Sequence, residues 1–338
     1  MLRTGTPRTG TPRTSTSRAT RALQAGGGER ALIGRSRDIQ RVREQVHHLA
    51  ASRAPVLLEG EPGTGKSAVA RALHFDGPRR ERRFERVRCA QAPAPELAAE
   101  LFGDGAEPGV LERADGGTVL LDGIDQAPPA VQLRVLHFLQ ERAVERGGTA
   151  RPGHRAGVMR VPVDVRLIAA SDRDLAAEVR DGRFRDDLFH RLAVTRVHLP
   201  PLRARREDLP LLVRELVRAA NRARGRRVPG VTAGVLERFA RHDWPGNVGE
   251  LKAVLDEMVA GARGRKALDV ESLPTGFLGA GEPNERLELA VGMTLAAAER
   301  RLVEATLQHT LGDKRRAAAM LGIGLRTLYR RLDEWGKG

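Results

Sequence analysis

Eight consecutive residues have the types and spacing needed to hold a row of phosphates: Gly60, Glu61, Pro62, Gly63, Thr64, Gly65, Lys66 and Ser67. The glycines let the backbone curl with its N–H groups inward, an anion nest at a helix N-terminus. Lys66 supplies the cation for the outer phosphates and Ser67 a hydroxyl for the metal, so ATP with Mg2+ is the expected cofactor. A second segment, Thr118 to Asp122, is an apolar run into an acid, the form of a strand that presents Asp122 to the metal. The next position, where a glutamate would polarise the attacking water, is Gly123; the nearest acid beyond it is Asp125, on a shorter side chain. Loss of a general base typically costs about 10²–10⁴-fold in rate. The residues therefore predict nucleotide binding with impaired hydrolysis. A hydrolysing alternative needs Asp125 to stand in for the missing glutamate.

The elements around these residues read as an α/β fold, a parallel sheet flanked by helices. A short buried strand, Pro55 to Glu59, enters the Gly-rich loop, and a helix over Ser67–Leu73 leaves it. Strands at Val119–Asp122 and Val165–Ala170 alternate with helical stretches such as Ala130–Glu141, after a first helix at Ile39–Leu49. Beyond Pro200 and Pro201 the chain turns helical, over Asp208–Arg224, Ala233–Arg241 and Val248–Ala260. The expected domains are a tail over 1–28, a nucleotide-binding subdomain over 29–201 and a helical lid over 202–275. A Gly/Pro/Glu-rich linker over 276–292 and a last helical domain over 293–338 follow.

Composition narrows the classes. The 338-residue chain carries a formal net charge of +15, which favours a polyanionic partner, although an arginine-rich surface is an equally good account. Residues 1–28 repeat Arg-Thr-Gly-Thr-Pro and contain almost nothing that forms a core, the mark of a disordered basic tail. A single cysteine, Cys89, makes no internal disulfide. There is no apolar run of membrane-spanning length and no secretory signal, so a cytoplasmic protein with no membrane contact is expected.

The ordered motifs resemble the AAA+ domain of sigma-54-dependent activators, the NtrC-like enhancer-binding proteins. The resemblance spans about residues 30–338. It rests on Leu32-Ile-Gly34, the Gly60–Ser67 loop, Glu100-Leu-Phe-Gly103, the run Ala114 to Asp122, Val165 to Ala170, Phe184 to Leu188, His190-Arg-Leu192, Leu199 to Arg203 and Trp244-Pro-Gly-Asn247. It implies that Arg185 and Arg191 act as arginine fingers on a neighbouring subunit's nucleotide, hence a homo-oligomer from dimer to ring. Either arginine could instead pair with Asp186 or Asp187. Four departures stand out. Only Asp104 to Arg113 separate the Glu100–Gly103 and Ala114–Asp122 segments, with nothing like the GAFTGA loop that contacts sigma-54. Gly123 replaces the glutamate, Asp172 stands where sensor I has asparagine, and Gly249 stands where sensor II has arginine.

Residues 295–335 resemble the FIS-type helix-turn-helix. Helices are expected over Leu295–His309 and Arg315–Leu321, with a tight turn at Gly322-Ile-Gly324 and a recognition helix over Leu325–Trp335. Its polar face offers Arg326, Thr327, Tyr329, Arg330 and Arg331 to double-stranded DNA, by base or phosphate contact. The combined expectation is an ATP-binding AAA+ transcription regulator that works with RNA polymerase holoenzyme without remodelling sigma-54, and with no N-terminal sensing domain ahead of residue 30. The alternatives are a hydrolysing sigma-54 activator, an ATP-dependent DNA enzyme, and a nucleotide-gated protein adaptor.

Overall fold

The computed structural model describes residues 32–274, apart from 91–92, 105–106, 148–157, 263 and 265, and residues 293–335, apart from 311–313. The tail expected over 1–28 and the linker expected over 276–292 lie outside the described residues. The chain forms two units, parted after Gly281.

The first unit is built on a sheet of β1 (Val56–Glu59), β2 (Phe84–Arg88), β3 (Thr118–Asp122), β6 (Arg166–Ser171) and β7 (Arg196–His198). Their order is β2-β3-β6-β1-β7, with every pairing parallel. A separate antiparallel pair, β4 (Ala143–Gly147) and β5 (Val158–Pro162), stands between β3 and β6 in the chain. Side chains alternate across the parallel sheet. Leu57, Val119, Leu121, Leu167 and Ala169 enter one core, whereas Val56, Leu58, Leu120, Ile168 and Ala170 enter the other. Burial on both faces is why the central strands are unbroken apolar runs.

Helices α1 (Arg37–Ala50) and α2 (Lys66–Phe75) cover the second face through Val42, Val46, Val69 and Leu73. On the other face lie α3 (Ala94–Phe102), α4 (Val110–Arg113), α5 (Pro129–Glu141), α6 (Leu175–Arg180) and α7 (Asp186–Leu192). The link from α3 to α4 is drawn tight. A Cβ on Gly109 would come within 2.4 Å of the Gly103 nitrogen and the Leu101 carbonyl, and Gly103 itself has φ 84°. The buried Arg166 guanidinium donates to Leu49 O at 2.7 Å, Ala50 O at 3.0 Å and Leu73 O at 3.3 Å, closing the ends of α1 and α2. Burial lowers its pKa to about 10.

After β7 a tight 3₁₀ segment, Leu202–Asp208, leads into α8 (Leu209–Arg224), α9 (Ala233–Arg241) and α10 (Asn247–Gly261). These have a core of their own, with Leu212, Val217, Phe239, Trp244 and Leu255. The Trp244 indole packs edge-on to Phe239 and donates to its carbonyl at 2.8 Å. Asp208, wholly buried, accepts from Arg35 N at 2.6 Å, Ser36 N at 2.8 Å and Ser36 Oγ at 2.7 Å. Ser36 in turn caps α1 through Ile39 N.

The second unit consists of α11 (Leu295–His309), α12 (Lys314–Met320) and α13 (Leu325–Trp335). Val303, Ala317, Ala318 and Leu328 form its centre, flanked by Leu321, Ile323, Leu332 and Trp335. Gly322 takes φ 65° in the turn before α13, a conformation that favours glycine. Among the described residues, no helix is long and apolar enough to cross a membrane.

Candidate nucleotide site and helix-turn-helix

The sheet order explains the site. In register, Glu59 at the end of β1 faces Ser171 at the end of β6, and Asp122 at the end of β3 faces Ala170. The phosphate loop, Gly123 and Asp172 therefore all leave from one carboxyl edge, where ligands of parallel α/β sheets bind. The loop is bent by glycines at φ 76° for Gly63 and 112° for Gly65. The first bonds of α2 run from Ala68 and Val69 to Gly65 O, at 2.9 and 3.1 Å. The N–H groups of Lys66 and Ser67 thus stand ahead of the ladder, as donors for an anion.

Lys66 is buried, and its ammonium group donates to Gly60 O at 2.6 Å and Glu61 O at 2.9 Å. Its third partner is Asp172 Oδ1 at 2.5 Å. Thr64 Oγ1 donates to Glu61 O at 2.8 Å, and Ser67 is half-buried at the first turn of α2. Ser67 and Asp122 are hard oxygen donors of the kind Mg2+ takes. Asp122, however, already holds an ion pair with Arg86 of β2, whose Nε lies 2.7 Å from Oδ2. Cys89, buried nearby, has its thiol pushed up to about 12 by burial, with Asp122 and Asp125 adding to the shift.

Gly123 has φ 75° and ψ 44°, with no side chain to direct a water. The side chain of Asp125 is fully buried. Its Oδ1 accepts from Asp172 N at 3.3 Å, and its Oδ2 has no hydrogen-bond partner, with Arg173 Nε at 3.9 Å. Arg185 spans Asp187 with bonds of 3.0 and 2.7 Å, while Arg191 is exposed on α7. Of the two arginines, then, Arg185 makes the local ion pair that the sequence left open.

The helical part closes directly on the loop. Asn247, at φ 52°, donates to Pro62 O at 2.9 Å and to Glu61 Oε2 at 3.1 Å, and accepts from Leu202 N at 2.7 Å. Arg203 pairs with Glu61 on both nitrogens. These bonds, Arg203 first and Asn247 second, hold the Glu61 carboxyl at about 2. Arg205 reaches Thr64 O at 2.8 Å from a buried position. Gly249 N lies 3.2 Å from Gly63 O, and a Cβ on Gly249 would stand 3.3 Å from Gly63 Cα. Sequence reasoning missed Arg86 and Arg205, and gave Arg203 no role beyond its place in the Leu199–Arg203 run, because their partners lie on distant segments and arginine is common throughout the chain.

In the second unit, Arg326, Tyr329 and Arg330 are exposed on α13, and Thr327 is half-buried. Lys314 of α12 lies over the Tyr329 ring at 4.8 Å. Arg331 is placed differently: it is half-buried and pairs with Glu299 of α11.

Three family models match in succession. A sigma-54 interaction domain covers residues 32–198, an AAA+ ATPase lid domain 203–289, and the Fis family of bacterial regulatory proteins 294–335. The transcriptional regulatory protein ZraR of Escherichia coli is 36% identical over 310 residues, spanning 89% of this chain and 68% of that protein. The C4-dicarboxylate transport regulatory protein DctD of Pseudomonas aeruginosa is 38% identical over 314 residues, 90% of this chain and 64% of that protein. Among solved structures, NtrX from Brucella abortus in complex with ADP superposes with a TM-score of 0.66 at 28% identity. It covers 95% of this chain and 73% of that one. Its complex with ATP gives 0.65 at 29% identity, again over 95% of this chain and 73% of that one. Loop, sheet edge, lid and terminal helices agree with these matches in order and position, and the chain belongs to the sigma-54-dependent activator family, AAA+ regulators with a Fis-type helix-turn-helix.

Proposed function

We propose that the chain is a nucleotide-gated transcription regulator that binds ATP or its diphosphate with Mg2+, hydrolyses ATP poorly, and binds duplex DNA through α13. The observation that carries the reading is the contrast within the site. The phosphate loop is complete around Lys66, yet Gly123 offers no carboxylate and the Asp125 side chain is fully buried. Asp125 acts here by holding the Asp172 backbone rather than by orienting water. Ser67 and Asp122 would hold Mg2+, which would supply positive charge to offset that of the phosphates. Lys66 and the first N–H groups of α2 hold the phosphates, while Asn247 and Arg203 keep the lid seated on the loop.

The tight Gly103–Gly109 link between α3 and α4 supports the absence of a loop for remodelling sigma-54 polymerase. Contact with RNA polymerase holoenzyme then runs through another surface or another sigma factor. Assembly into a homo-oligomer places Arg191 as the arginine available to a neighbour's nucleotide, since Arg185 is engaged by Asp187. The test is paired: nucleotide binding and steady-state hydrolysis, across protein concentration. Binding without turnover is the expected result; turnover that rises with concentration would establish the working ring motor instead.

A further inference from the structure

The Lys66 ammonium group, at the heart of the phosphate loop, is ion-paired with Asp172. An ammonium group has three N–H donors and accepts nothing. Here all three are in use, on Gly60 O at 2.6 Å, Glu61 O at 2.9 Å and Asp172 Oδ1 at 2.5 Å. Two of these acceptors are carbonyls of the loop itself. The third is a side chain from the end of β6, the strand next to β1, with its backbone N–H held by Asp125 Oδ1.

We infer that Asp172 is a specificity-determining residue that makes this site prefer a nucleoside diphosphate, ADP, over the triphosphate. The inference rests on the reading of residues 60–67 as a nucleotide loop. A diphosphate ends on the inward N–H groups of the loop and shares Lys66 with the carboxylate. A triphosphate adds a third anionic group on the β6 side, where it must displace Asp172 from Lys66 and then lie beside an unpaired carboxylate. Like charges at such separations inside a partly desolvated site repel strongly. The nearest cation on the same turn does not relieve this: Arg173 is directed to Glu178 at 3.5 Å and to Asp125 at 3.9 Å. The Asp172 side chain is about one-third exposed, so it meets an entering ligand instead of lying sealed beneath the loop.

The experiment is calorimetric titration of the full-length chain with ADP and with ATP, each with Mg2+, for the unaltered protein and for Asp172→Asn. The expected result is that the unaltered protein binds ADP about tenfold or more tightly than ATP, and that Asp172→Asn narrows the ratio by about tenfold through tighter ATP binding. Equal affinities in the unaltered protein overturn the inference while leaving the nucleotide site intact. So does a ratio that Asp172→Asn leaves unmoved. Binding of neither nucleotide overturns this inference and the proposed function together. Where Asp172→Asn does not fold, Asp172→Ala takes its place and the same ratio is read.

Discussion

Arg86 and Asp122 form an ion pair across adjacent strands, with the Arg86 Nε 2.7 Å from the carboxylate oxygen expected to face the metal. The guanidinium is a resident cation at the proposed Mg2+ site, so Mg2+ would have to compete with it. Arg86→Ala is therefore expected to lower the Mg2+ concentration needed for half-maximal nucleotide binding, by about threefold to tenfold. A Mg2+ titration of nucleotide affinity checks this; an unchanged midpoint removes the competition.

Lys66→Ala is expected to abolish measurable nucleotide binding, because the one cation among the eight loop residues is lost. About a hundredfold or greater loss is anticipated from the strength of charge-assisted bonds to phosphate. Calorimetry reads the outcome, and unchanged affinity would place the nucleotide elsewhere.

Gly63→Ala tests the seat of the lid. An added Cβ would fall 2.1 Å from the Gly246 carbonyl, at a φ of 76° that alanine tolerates poorly. Backbone resists displacement, so a loss of about 2–4 kcal/mol in stability is expected. Thermal unfolding of variant and parent reports it; equal midpoints would mean that α10 does not rest on the loop in solution.

The Glu61 carboxyl, held at about 2 by Arg203 and then by Asn247, links stability to acid. A depressed carboxylate contributes stability above its unfolded value near 4.5, and that contribution disappears as pH falls from there toward 2. The residue is partly exposed, so solvent screens the effect. Glu61→Gln should lower stability at neutral pH and flatten the acid limb of unfolding between about pH 4.5 and 2. A parallel shift of the whole curve would point to packing instead.

Arg330→Ala is expected to weaken duplex binding and reduce the slope of log affinity against log salt by about one. Arg331→Ala should chiefly destabilise the three-helix unit, since that side chain is tied to Glu299. Gel-shift titrations across salt, with unfolding curves alongside, separate the two; reversed roles would mean that α13 presents another face.

Much of this was legible beforehand, and for physical reasons. Strong periodicity placed α9 at Ala233–Arg241 and α13 at Leu325–Trp335, as found. The phosphate loop declared itself through glycines that only a curled backbone needs. By contrast β2 went unread because it is an edge strand: Arg86 and Arg88 are exposed around a single buried Val87, too little apolar pattern to stand out. β7 has three residues, too short for periodicity to reveal. Asp172 was visible as an acid where the family has an amide, but its pairing with Lys66 depends on β6 lying beside β1, and no local pattern encodes that adjacency.

Asp208 gives a last consequence. One buried carboxylate joins the segment entering α1 to the start of the helical lid through three short hydrogen bonds. Opening either side strips a buried carboxylate of these three donors, so neither can fray alone at low cost. In hydrogen-exchange terms, the amides of Arg35 and Ser36 should share one protection factor with the first turn of α8, behaving as a single foldon that unites the beginning of the AAA+ core with its lid.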